Sequence, residues 1–135
     1  MPRFPKIGLA VFLFSIAGVG GLTYLMGARA RARISQRLEQ LSFPYTVKIN
    51  GKPTADPRSI VAALQFDDIP AHHSHPTKQL EVQIEDQKGS LTVILARDSE
   101  RPSEYWVYSP EDDFTRGITT GHEIGQINAG IFSSY

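Results

Sequence analysis

The feature that most constrains this chain is a run of 20 residues without a charged side chain, Ile7–Met26. At about 1.5 Å rise per residue, a helix of this length spans about 30 Å, the thickness of the hydrocarbon core of a bilayer. Nothing else in the chain is large enough to cover a helix that is apolar on all sides. The pattern therefore predicts a transmembrane helix within a first segment, residues 1–27.

A cleavable signal peptide is the main alternative for this segment. Arg3 and Lys6 give a basic start, and Ala28-Arg29-Ala30 offers the small residues of a cleavage site. However, the apolar run exceeds the ~7 to 15 residues of a usual signal core, and further arginines crowd the cleavage point. We therefore expect an uncleaved anchor.

Charge is distributed unevenly along the chain. Residues 1–42 carry a formal charge of +5 and residues 43–135 carry −5, although the 14 basic and 14 acidic residues cancel overall. This asymmetry argues against a uniform globule and against a basic nucleic-acid-binding domain. Cysteine is absent, which excludes a disulfide scaffold, thiolate zinc fingers and cysteine catalysis.

The basic residues also bear on membrane orientation. Two precede the apolar run and four follow it within about 15 residues, so the positive-inside tendency favours a cytoplasmic over an exported C-terminal side. Within the run, Ala17 and Gly21 form one small-x-x-x-small pair that would let two helices approach closely. This pair predicts that homo-oligomerisation through the membrane helix can occur.

Residues 28–42 contain no glycine or proline in their first 14 positions, which predicts that the helix continues beyond the membrane. Ile34, Leu38 and Leu41 align on one side and would pack on a partner or on the following domain. Anionic lipid headgroups are the expected partners of the arginines in this segment, because no aromatic residues are interleaved for nucleic-acid binding. These lipid-facing candidates are Arg29, Arg31, Arg33 and Arg37.

A small domain is predicted for residues 43–135, after the helix-breaking Phe43-Pro44. Its expected order is strand, helix, then an antiparallel meander, giving an α+β domain with one helix packed on a sheet of about four strands. The signals are the strand 45–49 before Asn50-Gly51, a helix over 57–65 capped by Asp56, alternating Leu80, Val82 and Ile84, an apolar strand 91–96, an aromatic strand 105–108, and a last strand around 123–127.

Metal-capable side chains concentrate between the helix and the meander. His72, His73 and His75 lie there with Asp67 and Asp68, and this donor set suits zinc, copper or nickel. Yet the segment lacks the H-E-x-x-H pattern and lies between Pro70 and Pro76, so solvated loop histidines are the favoured interpretation. We expect no resident cofactor.

The aromatic strand supplies the candidate protein-binding patch. Tyr105 and Val107 point to one face of the sheet, whereas Trp106 and Tyr108 point to the other. If this second face is uncovered, Trp106 and Tyr108 beside Arg101 would form a patch of the residue types enriched at binding hot spots. Complete burial of these side chains is the alternative.

No nucleophile elbow, phosphate loop or dinucleotide-binding motif occurs in the sequence. The sequence therefore favours a single-pass membrane protein whose small domain is a non-catalytic interaction or assembly module, with membrane lipid and a protein as partners. The alternative is a membrane-tethered metal-binding or hydrolytic domain that uses the histidine loop.

Overall fold

The computed structural model describes residues 6–67, 74–110 and 123–135, with the side chains of residues 6–17, 19, 20, 23 and 123 outside the description. The chain is α+β. Its elements are helix α1 (Lys6–Glu39), strands β1 (Thr46–Ile49) and β2 (Lys52–Pro53), helix α2 (Pro57–Ala63), strands β3 (Pro76–Asp86), β4 (Gly89–Asp98), β5 (Glu104–Tyr108) and β6 (Glu123–Asn128), and a 3-10 helix, η1 (Gly130–Ser134).

Helix α1 is a single unbroken helix of 34 residues, so it is about 50 Å long. It includes both the uncharged run and the arginine-rich segment that follows. Most side chains of the uncharged run lie outside the described ones, but Leu22, Tyr24 and Leu25 are described and exposed. Within the described part of the chain, no helix has an apolar stretch of the length that crossing a membrane requires.

The sheet has six strands in the described residues, all antiparallel, in the order β2-β1-β3-β4-β5-β6. The expectation of about four strands was therefore too low. The strand before Asn50-Gly51 joins the meander by pairing with β3, and a short strand after the turn was not predicted. Asn50 and Gly51 both have positive φ, 50° and 76°, as a tight hairpin turn requires.

One face of the sheet carries the hydrophobic core. The alternation predicted for β3 is confirmed, because Leu80, Val82 and Ile84 are all buried. Side chains from both helices and from η1 pack against this face. They are Ala30 and Ile34 of α1, Ile60 and Leu64 at α2, and Phe132 of η1. The apolar stripe of residues 28–42 therefore packs on the domain itself.

Helix α2 forms as its sequence predicts, although it ends at Ala63 rather than at residue 65. The Asp56 carboxylate accepts a hydrogen bond from the backbone N–H of Ser59 at 3.1 Å, and Pro57 occupies the first helical position. These two features fix where the helix begins. Its buried Ile60 and the following Leu64 then reach the core beneath α1.

Candidate functional site

The histidine loop is only partly described. His72 and His73, with Asp68, lie outside the described residues. His75 is exposed, and its backbone exchanges two hydrogen bonds with Ser99. Among the residues that the structure describes, no three His, Asp or Glu side chains are grouped so that they could hold a metal ion.

Asp67 instead holds the segment after α2 against the edge of the sheet. Its carboxylate accepts a hydrogen bond from the backbone N–H of Asn128 at 2.8 Å, and its own N–H donates to the carbonyl of Gln126 at 2.9 Å. Both contacts are with β6. The segment therefore occupies an edge that an additional strand would otherwise pair with.

The structure gives the three residues of the aromatic patch different environments. Tyr108 is buried, Trp106 is half-buried, and Arg101 is exposed and donates to the carboxylate of Glu104 at 3.1 Å. Tyr105 and Val107, on the core face, are fully buried. The two side chains on the second face thus differ in accessibility, and Trp106 is the more exposed of the two.

The indole of Trp106 is fixed by a buried carboxylate. Its N–H donates to Asp98 at 3.0 Å, and Asp98 also accepts hydrogen bonds from the Ser74 hydroxyl and from the backbone N–H groups of Glu100 and Arg101. Burial alone would raise the pKa of Asp98, but these hydrogen bonds outweigh it and hold the pKa well below its usual range. Asp98 therefore stays ionised and orders the β4–β5 connection.

The arginines of α1 differ in their surroundings. Arg29 and Arg33 are exposed, whereas the guanidinium of Arg31 lies 4.9 Å from the ring centroid of Phe66. Arg37 is turned toward the domain, and its side chain is only 19% exposed. Contact of Arg29, Arg31 and Arg33 with lipid stays a prediction.

Arg37 binds the turn between β3 and β4, which we call the hairpin end (residues 86–89). Its guanidinium makes a bidentate ion pair with Asp86, with one Nη1 to Oδ2 distance of 3.0 Å, and donates to the carbonyl of Gly89 at 3.1 Å. At the same place, the Lys88 ammonium donates to the carbonyl of Gln40 at 3.2 Å, just after the last residue of α1. The hairpin end thus clamps the end of the helix.

The Asp86 carboxylate is the centre of this clamp. Its pKa is held well below the usual range by the Arg37 hydrogen bonds and by the backbone N–H groups of Ser42 and Lys88. The same pairing raises the pKa of Arg37. Both groups are therefore charged at neutral pH and bind each other with the geometry that favours arginine over lysine.

A cleft of about 490 Å³ lies beside the clamp, between α1 and α2. This volume is in the range of small-ligand sites. Its lining mixes apolar and polar side chains, with the basic Arg31 and, two turns along α1, the acidic Glu39. The lining residues are Arg31, Ser35, Leu38, Glu39, Val61, Ala62, Leu64, Gln65 and Phe66.

Sequence reasoning missed both the clamp and the cleft. The sequence pattern predicts lipid contact for Arg37, and its partner Asp86 lies 49 positions away in the sequence. The available signal was that Arg37 adjoins the Ile34 and Leu38 stripe along the helix surface. No protein family model, curated protein or solved structure matches this chain.

Proposed function

We propose that the protein is a single-pass membrane protein that holds a small interaction or assembly domain at the bilayer surface. The observation that carries this proposal is the continuity of α1. Its first part has an uncharged sequence with exposed Leu22, Tyr24 and Leu25, whereas its last part supplies Ala30 and Ile34 to the core of the domain. One helix therefore has an outer surface suited to lipid and an end built into a folded domain.

Membrane attachment is tested by alkaline carbonate extraction of membranes that contain the full chain, followed by N-terminal sequencing. We expect the protein to stay in the membrane fraction with residues 1–27 intact, because the uncharged run is long enough to span. A soluble chain that begins near Arg31 would instead identify the segment as a signal peptide.

The proposed location of the domain is the cytoplasmic face, on the charge bias around the span. Single cysteines placed at exposed Lys52 or Lys88 test this directly, since the chain contains no other cysteine. A membrane-impermeant maleimide should label them only after the cells are opened. Labelling of intact cells would place the domain on the exported side.

An interaction role is supported by the cleft between α1 and α2. The exposed Ala62 lies on its rim, so Ala62→Arg would fill the cleft without replacing a core residue. We expect this variant to lose a protein that co-purifies with the full chain from solubilised membranes. Lys52→Ala, on the short edge strand β2, is the matched surface control and should retain it.

Trp106 is the competing binding position, on the other face of the sheet. If partner binding is lost with Trp106→Phe and retained with Ala62→Arg, the aromatic strand and not the cleft is the binding surface. If neither variant changes the co-purifying proteins, the domain does not use either surface to bind them.

A further inference from the structure

The direction in which α1 leaves the domain fixes which part of the domain lies nearest the bilayer. The helix is clamped at the hairpin end, where Lys88 contacts the carbonyl of Gln40. From there it runs back over the sheet, because Ile34 borders a small cavity with Val93, Val107 and Ile127 and because α1 contacts β6. The uncharged part of α1 therefore extends away from the hairpin end.

The opposite end of the sheet is formed by residues 99–103 and 129–135, which we call the loop end. β4 begins at the hairpin end and finishes at Asp98. β6 runs in the same direction on the other side of β5 and finishes at Asn128, at the same end of the sheet. η1 is attached there through the Ala129 N–H, which donates to the Ser103 carbonyl at 2.8 Å, and through the edge-to-face contact of Phe132 with Tyr105.

The lengths of α1 and β4 place the loop end close to the level of the proposed membrane boundary. From Gln40 back to Met26, α1 rises about 21 Å at about 1.5 Å per residue. From Gly89 to Asp98, β4 extends about 30 Å at about 3.4 Å per residue. Ile34, about 9 Å along α1 from Gln40, already borders the same small cavity as Ile127, which lies at the level of Arg97 near the end of β4. The loop end, which continues beyond Asp98, therefore comes near the level of Met26, where the uncharged run stops.

The distribution of exposed apolar side chains agrees with this geometry. Among the described residues, six large hydrophobic side chains are exposed. Leu22, Tyr24 and Leu25 lie on the first part of α1, and Ile131 and Tyr135, which are 38% and 40% exposed, lie at the loop end. Only Phe43 lies at the hairpin end, and Arg58 covers its ring at 4.9 Å from the centroid.

We propose that the loop end of the domain docks into the headgroup layer of the bilayer, with Ile131 and Tyr135 inserted at the interface. This inference rests on the proposed membrane anchor. A headgroup layer about 5 to 7 Å thick begins where the hydrocarbon core ends, so a domain end level with Met26 must enter it. Tyrosine suits this zone, and Arg29, about 4.5 Å beyond Met26 along the helix, lies at the depth of the lipid phosphates.

Site-specific fluorescence quenching in vesicles tests the proposal with the full chain. A polarity-sensitive fluorophore is attached to single cysteines at Ile131, Tyr135, Lys88 or Gly18, all of which are exposed positions. The vesicles contain phosphatidylcholine and phosphatidylglycerol with a spin label on either the headgroup or the acyl chain. A cooperative thermal transition in detergent verifies that each labelled variant is folded.

We expect headgroup spin labels to quench positions 131 and 135 about threefold or more above position 88, and acyl-chain labels to quench position 18. Equal quenching at 131 and 88, with position 18 still quenched by acyl-chain labels, would overturn the docking and leave the anchor intact. Absence of acyl-chain quenching at position 18 would overturn the anchor, and the docking with it.

Discussion

The two halves of α1 show how one helix is suited to two environments. The first half has no charged residue from Ile7 to Met26, so no side of this part of the helix carries a charged surface that would favour contact with water. The second half alternates arginines with small and apolar residues, and Ala30, Ile34 and Leu38 form a narrow stripe that packs on the sheet. A narrow apolar stripe can be covered by a single neighbouring layer, whereas a helix that is apolar on all sides needs an apolar medium around it, and this contrast is the reason we propose a bilayer for the first half.

The largest expected effect comes from removing the second half of α1. A chain of residues 43–135 lacks Ala30, Ile34, Leu38 and Leu41, which cover the core face of the sheet. We expect it to show no cooperative thermal transition by circular dichroism, whereas residues 28–135 should show one. Equal melting of the two fragments would show that the helix is dispensable for the fold.

A substitution at Ile34 tests how tightly the second half of α1 packs on the sheet. It is 3% exposed and borders the cavity beneath α1, so Ile34→Ala should reduce the free energy of unfolding by about 2 to 5 kcal/mol. Gln36→Ala, on the exposed side of the same turn, should change it by less than about 0.5 kcal/mol. Chemical denaturation of the 28–135 fragment measures both. Similar small losses in the two variants would mean that α1 is not tightly packed.

A substitution at Asp98 tests the β4–β5 connection, at the opposite end of β4 from the Arg37 clamp. Because its pKa is lower in the folded than in the unfolded chain, its stabilising contribution is complete above about pH 4 and is lost as the pH falls toward the folded value. Asp98→Asn should lower the stability by about 1.5 to 3 kcal/mol at neutral pH and flatten the fall of Tm in acid. Ser74→Ala removes one donor of this carboxylate and should have a smaller effect of the same sign. An unaltered acid profile in Asp98→Asn would contradict this role.

Removing the Arg37 clamp should have the smallest effect on global stability. Its main effect should be local, at the end of α1. Arg37→Ala leaves Asp86 without its bidentate partner, so we expect faster amide hydrogen exchange over residues 37–41 with a modest fall in Tm. Arg37→Lys keeps the charge but cannot make the bidentate contact. Its exchange rates over this turn should therefore lie between those of Arg37→Ala and those of the parent chain. If exchange in this turn is the same in Arg37→Ala and the parent chain, the clamp does not hold the helix end.

Sequence patterns were enough to predict the elements that depend on residues close together in the chain. The β3 alternation, the Asp56 cap and the Asn50-Gly51 turn all depend on residues a few positions apart, and the structure has each of them. The partner of Arg37 could not be predicted, because Asp86 comes next to it only when the sheet has formed. Likewise, β5 is apolar on both faces, so the sequence left open which of its two side-chain pairs was buried.

The most direct measurement is the distance between spin labels on the two halves of α1 in the full chain, reconstituted in lipid nanodiscs. Cysteines at Gly18 and Gln36, in a chain with no other cysteine, are 18 residues apart and therefore on the same side of the helix. A continuous helix predicts one narrow distribution with about 27 Å between the backbone positions. A broad or clearly shorter distribution would reveal a hinge between the two halves of α1 and would contradict the continuous helix on which the proposed function rests.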